Sequence, residues 1–279
     1  MRGGGFRRRT GVVLGDVRDS LRGRDLSLWA AGVTFFAVLA VVPLALVALR
    51  GAGFVVSPEF VLHGVSRWVD ALPPTHDPGA ALDALTSAAL RTPWTALAVT
   101  LLPATFYGEG LLRGLAQVSG HSPGSFVGWR GRLLFVPVLL ISPTLAIAPL
   151  ATADVVADLY TGGGWSTFWG ITVSFHVDWL IIAVVTSIVF VGSVPRGVRR
   201  GPLLLGALAV ASFLAGFFHG FLLFLAIPLD WSIPFGGLAG VGIISALVLW
   251  LYLMHVMLLL GFRLMLSVER THAGKAPIH

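Results

Sequence analysis

Six separate stretches of this chain run for about 20 residues or more with almost no charge, the length a helix needs to cross a bilayer. They cover residues 28–56, 92–112, 133–156, 172–194, 203–227 and 235–266. Only Arg50 interrupts the first, close to its far end, and the last is long enough to tilt. The runs are continuous rather than alternating apolar and polar, which argues against a β-barrel. The first is longer than the apolar region of a signal peptide and is not closed by a small-x-small cleavage site, so it is expected to remain as a span. Composition agrees. Of the 279 residues, 56% are hydrophobic and 11% are charged, against about 25% charged in a soluble domain. A soluble protein and a disordered one are both excluded. The chain has no cysteine, so disulfides, iron–sulfur clusters and cysteine-bound zinc are excluded too. It has no asparagine, which removes N-glycosylation.

Charge placement predicts the orientation. Sixteen of the 19 basic residues fall on one side of the six spans, and only Arg50, Arg67 and Arg91 fall on the other. The positive-inside rule then puts both termini in the cytoplasm. The net charge of +6 becomes a topology signal rather than a mark of nucleic-acid binding, and no nucleic-acid partner is expected. The predicted class is an all-α membrane protein of six transmembrane helices. A basic N-terminal segment (1–26) precedes a membrane domain (27–267), and a short cytoplasmic tail (268–279) follows it.

Two parts lie outside the spans. Between the first and second, Phe60, Val61, Val65, Trp68, Val69 and Leu72 recur at helical spacing opposite Glu59, His63, Arg67 and Asp70. A second periodic stretch follows the turn Pro73-Pro74, so residues 57–91 are expected to form an outer amphipathic helical hairpin. The N-terminal segment carries Arg7-Arg8-Arg9 and alternates Arg18, Arg22 and Arg24 with Asp16, Asp19 and Asp25. It reads as a cytoplasmic helix resting on anionic headgroups.

Few features within the spans carry chemistry. Prolines at 43, 103, 137 and 143 (Pro43, Pro103, Pro137, Pro143) and Pro149 lie inside them. A proline frees a backbone carbonyl one turn earlier, and transporters use such helix breaks to build sites, although kinks are also common in membrane helices. Gly110 with Gly114, Gly216 with Gly220, and Gly236 with Gly240 have the spacing of close helix contacts. The ionisable candidates are Glu109, Arg113, His219, His255 and Arg263. Glu109 and Arg113 stand one helical turn apart and can pair. The five form a polar path through the bundle, or else the two histidines are neutral rings bonded to neighbouring carbonyls. His176 and Asp178 are placed at an outer helix end, where solvation accounts for them. No enzyme signature appears: H-E-x-x-H, a P-loop and G-x-S-x-G are all absent. No catalytic residue, metal or cofactor is expected.

The run from Ala30-Ala31-Gly32 through Phe35-Phe36 to Pro43-Leu44 resembles the first span of the YihY/BrkB family. Phe235-Gly236-Gly237-Leu238-Ala239-Gly240, Leu249-Trp250-Leu251-Tyr252 and Leu258-Leu259-Leu260-Gly261 are similar to its last span, and Val194-Pro195-Arg196-Gly197 to its Pro-Arg loop. The resemblance runs from about Leu26 to Glu269. It implies a six-helix protein of the bacterial cytoplasmic membrane, from a family once labelled ribonuclease BN and also virulence factor, for which transport or lipid handling has been suggested. Two departures stand out. The family often has an asparagine after span two, and Gly-Ala-Glu where this chain reads Gly261-Phe262-Arg263.

The expected function is to move, or help move, a lipid or amphiphile. Membrane lipids are then its partners, with a second copy or another envelope protein as further possibilities. The alternative is a non-transporting envelope scaffold that uses the hairpin as its partner surface. A membrane-bound ribonuclease is disfavoured, because no cytoplasmic acidic site exists to run it.

Overall fold

The first span begins at Asp25, whose Oδ1 accepts the amide of Leu28 at 3.0 Å and so caps the helix. The Ser27 hydroxyl, joined by that amide, holds the Asp25 carboxyl below its ordinary range. The structure is a computed structural model that describes residues 15, 17, 18, 25–72, 78–120, 126–194, 198–227 and 229–272. The arginine cluster at 7–9, the turn at Pro73-Pro74, Pro195-Arg196-Gly197 and the end of the tail lie outside the described residues.

Eight α-helices follow one another among the described residues: α1 Leu26–Val55, α2 Pro58–Ala71, α3 Pro78–Arg91, α4 Trp94–Ser119, α5 Val127–Thr161, α6 Trp165–Ser193, α7 Arg200–Ala226 and α8 Ala239–His272. Six of them, α1 and α4 to α8, are long and apolar enough to cross a membrane. In their most apolar stretches only 22% to 33% of residues are buried. Large apolar side chains such as Phe35, Leu140, Phe213 and Leu223 point outward instead. This is the surface a hydrocarbon solvent selects, because lipid gives no reason to hide apolar groups.

The helices run past the apolar segments at several ends. α4 continues to Ser119, where Gly120 at φ 79° closes it in the left-handed conformation. α6 begins at Trp165 rather than near 172, after Gly163 and Gly164 turn the chain at positive φ. Hydropathy detects only the greasy part of a helix, whereas the backbone stays helical until a residue stops it. The interior prolines do not break the spans, since α1, α4 and α5 run uninterrupted through Pro43, Pro103, Pro137, Pro143 and Pro149. At Pro143 the reason is visible. The missing N–H frees the carbonyl of Leu139, and the Ser142 hydroxyl donates to it at 2.8 Å.

α1 sits at the centre and packs against α4, α5 and α8, while α5, α6, α7 and α8 pack in succession. Phe135, Phe190, Phe262, Leu115 and Leu259 fill the shared core, with Phe190 and Phe262 edge to face at 4.8 Å. The glycine patterns divide into three kinds. A Cβ at Gly110 would lie 2.6 Å from Phe36, and one at Gly114 would lie 2.7 Å from Val33, so α1 and α4 approach closely there. At Gly216 and Gly220 the nearest atoms are 3.9 and 3.8 Å away, on the rings of Phe175 and Trp250. The reading of that pair as a close helix contact is corrected: the helices stand apart by the thickness of an aromatic ring. Gly236 and Gly240 are corrected likewise. Gly236 ends a short 3-10 turn (Ile233–Phe235) at φ 66°, and neither glycine has an atom within 4 Å of its would-be Cβ.

Helices α2 and α3 pack on each other, with α2 also on α5 and α3 on α1. Val61 and Val65 of α2 meet Leu150 and Ala52 in a second small core. The Arg50 guanidinium donates to the Leu90 carbonyl at 2.6 Å, near the end of α3, and lies over the Trp94 ring at 5.1 Å. The charge that interrupts the first apolar run thus anchors the helix pair at its negative helix end.

Candidate functional site

Three polar clusters occupy the helix bundle. The first joins α4 to α5. Oε1 of Glu109 accepts from Arg113 at 2.8 and 3.1 Å, and Oε2 accepts from Arg132 at 2.9 Å. Glycines make the slot for this carboxylate. A Cβ at Gly128 would sit 2.8 Å from Oε1, and one at Gly131 would sit 2.5 Å from the Gly108 carbonyl. The Arg132 guanidinium also lies 4.4 Å from the centre of the Phe106 ring and 5.1 Å from that of Trp129. One acid between two bases leaves the cluster with a net positive charge.

The second cluster ties α1, α4 and α8 together at mid-span. His255, only 3% exposed, has Nδ1 at 3.1 Å from the Thr34 hydroxyl and Nε2 at 2.9 Å from the Tyr107 hydroxyl. The Thr34 hydroxyl donates to the Ala30 carbonyl at 2.8 Å. It therefore accepts from Nδ1–H, and Tyr107 donates to Nε2. Each ring nitrogen of a neutral imidazole is satisfied, so this cluster fastens helices and leaves no group open to a ligand.

The third cluster faces a cavity of about 280 Å³ between α2, α5, α6 and α7. Its polar strip runs from the Tyr160 hydroxyl to Ser174 Oγ at 3.2 Å and from Ser174 Oγ to His219 Nε2 at 3.1 Å. His219 Nδ1 donates to the Ala215 carbonyl at 3.1 Å and lies 3.8 Å from the Asp178 carboxylate. Trp68, Leu72, Phe218 and Leu222 supply apolar wall. Trp68 is held by its indole N–H, which donates to the Pro149 carbonyl at 2.8 Å. Next to Trp68, Arg67 of α2 donates to Asp154 at 2.8 Å and to Asp158, both on α5, while His63 meets Asp154 at 3.0 Å. These pairs tie α2 to α5.

Of the residues singled out from sequence, Glu109 and Arg113 meet in the first cluster, His255 stands in the second and His219 in the third. The hydrogen bonds of His255 and His219 go to separate partners on separate helices. Arg263, 1% exposed, is enclosed in the bundle near the end of α8. The sequence reading missed Asp178, Ser174, Tyr160, Arg132, Thr34 and Tyr107. Asp178 is a correction, because it does not stand at a solvated helix end. With α6 starting at Trp165, it lies about 20 Å along the helix at 1.5 Å per residue, and its side chain is 22% exposed. The signal available for it was the rule that an ionisable residue inside a span is a site candidate, applied to a span drawn long enough.

Six apolar helices around sparse, clustered polar groups define a multi-pass helical membrane protein. The family model described as Virulence factor BrkB matches residues 17–278, nearly the whole chain, and the protein belongs to that YihY/BrkB family. No curated protein and no solved structure is detectably similar to it.

Proposed function

We propose that this is a protein of the bacterial cytoplasmic membrane, with both termini inside and α2–α3 on the outer face, that moves or helps to move a lipid or amphiphile. One observation carries the reading: the cavity under α2 has two kinds of wall. Trp68, Leu72, Phe218 and Leu222 suit an acyl or other apolar body, while Tyr160, Ser174, Asp178 and His219 suit a polar head. A site for a wholly apolar ligand would not bear the desolvation cost of a carboxylate at this depth. α2 supplies one wall of the cavity through Trp68, and the ion pairs that tie it to α5 are exposed, so salt weakens them. Glu109 with Arg113 and Arg132 gives the other half of the bundle a positive cluster where anionic headgroups can dock. The reading assigns no bond-breaking step to any residue.

The test is movement of labelled lipids in reconstituted vesicles. Wild type is expected to move them, and Asp178→Asn and His219→Ala to be impaired, with Glu109→Ala and Arg113→Ala as a second pair. Rates no higher than in protein-free vesicles would refute the reading. Because the chain has no cysteine, Ser66→Cys and Gly201→Cys variants test the orientation. An impermeant thiol reagent added to cells is expected to label the first and not the second.

A further inference from the structure

The Asp178 carboxylate has no hydrogen-bond donor among the described residues. The basic group beside it, His219 Nδ1, is 3.8 Å away and already donates to the Ala215 carbonyl at 3.1 Å. Ser174 lies at Nε2 and itself donates to the Ile171 carbonyl at 3.2 Å, so the imidazole is engaged at both nitrogens and gives the carboxylate no hydrogen bond. A carboxylate set among spans is strongly disfavoured unless a positive charge comes to it. The rest of the lining narrows the kind of cation. Trp68, Tyr160 and Phe218 contribute three aromatic rings to the same cavity, and ring faces attract large, weakly hydrated cations. A hard metal ion would need about six oxygen ligands, whereas this cavity holds one carboxylate and two hydroxyls. No group of three histidine or acidic residues that could hold a metal exists among the described residues. An anion would meet the carboxylate, which repels it. At about 280 Å³ the space is at the small end for ligand pockets, which suits a headgroup rather than a whole lipid.

We infer that the cavity beneath α2 binds an organic ammonium group, with Asp178 as its counter-ion and Trp68, Tyr160 and Phe218 as its aromatic walls. This deepens the reading above by naming the polar end of the amphiphile, but it stands or falls on binding alone. The shared chemistry is the ammonium, whether free in water or carried on a lipid.

The full chain in nanodiscs of phosphatidylglycerol, which brings no ammonium of its own, is titrated calorimetrically with choline and with its neutral isostere 3,3-dimethylbutan-1-ol. Saturable choline binding is expected, with the neutral alcohol weaker by about tenfold or more. Asp178→Asn is expected to weaken choline by about tenfold or more, and Phe218→Leu by several-fold, while the alcohol responds little to either. Both variants remove no helix contact of the shared core, and unchanged helical content and melting confirm that they fold. A choline-headed lysolipid forms the second arm. Tighter binding than choline marks a lipid-borne head, and equal binding marks a free one. No saturable binding in either arm would overturn the inference, as would wild-type affinity in Asp178→Asn or equal affinity for choline and the alcohol. Binding without lipid movement in vesicles would remove the transport reading and leave the site. Lipid movement indifferent to Asp178→Asn, with no ammonium binding, would do the reverse.

Discussion

Arg132 of α5 holds Glu109 of α4 at 2.9 Å, on the oxygen that Arg113 leaves open. The contact spans a crossing where Gly108 and Gly131 bring two backbones together. Its two arginines differ in setting. Arg132 is 25% exposed and packed by two rings, whereas Arg113 is 46% exposed on the same helix as its partner. Glu109→Ala leaves both guanidiniums unopposed and is expected to cost about 2–3 kcal/mol. Arg132→Ala should come near that value, and Arg113→Ala should cost under about 1 kcal/mol. Denaturant unfolding in detergent ranks the three.

The α4–α5 crossing tolerates no side chain. A Cβ on Gly131 would stand 2.5 Å from the Gly108 carbonyl oxygen and 2.6 Å from the Glu109 Cα, both backbone atoms that cannot rotate away. Gly131→Ala is expected to destabilise by about 3 kcal/mol or more. Gly216→Ala, with only the Phe175 ring at 3.9 Å, is expected to be neutral or to gain up to about 1 kcal/mol from helix propensity. Melting temperatures of the two variants, side by side, check the contrast.

Tyr107→Phe removes the donor to His255 Nε2 and strands a buried acceptor, since His255 has no solvent to turn to. The expected cost is about 1–2 kcal/mol. Thr34→Val removes the partner of Nδ1 and should cost a similar amount. Because both act on one ring, the double variant should cost less than the two together. Equal and additive losses would show that the three side chains do not act as a unit.

Helix α2 should loosen when its ion pairs are removed. Asp154 and Asp158 are 60% and 76% exposed and Arg67 is 26% exposed, so Arg67→Ala is expected to leave global stability nearly unchanged. Local opening is a different quantity. Amide exchange across 58–71 should speed up several-fold in the variant, and raising salt should speed it in the wild type by screening the same pairs. The amides of α5 near Leu139 provide the reference that should not move.

What was legible in the sequence is what local physics writes there. Six apolar runs imply six membrane helices, because a backbone in lipid must satisfy its own hydrogen bonds. The pairing of Glu109 with Arg113 follows from one turn of helix, and the two amphipathic stretches after Ser57 appear as α2 and α3. Each depends only on residues a few positions apart. Gly236 and Gly240 were misread because four-residue spacing says nothing about whether the backbone between them is helical, and at Gly236 a positive φ ends the turn instead.

The site was decided elsewhere. Arg132 reaches Glu109 across 23 positions, Thr34 reaches His255 across 221, and the cavity at Asp178 gathers residues from four helices between Trp68 and Leu222. Asp178 became a carboxylate lining a cavity within a span only because α6 starts at Trp165 and sets it deep in that span, a start given by a glycine turn that hydropathy does not weigh. The sequence by itself determined that this is a membrane protein with six helices long and apolar enough to cross a bilayer, since the demand for apolar length acts on each helix separately. Which polar groups meet, and which carboxylate lines a cavity with no hydrogen-bond donor among the described residues, depended on how those helices pack, and that is a property of the tertiary structure alone.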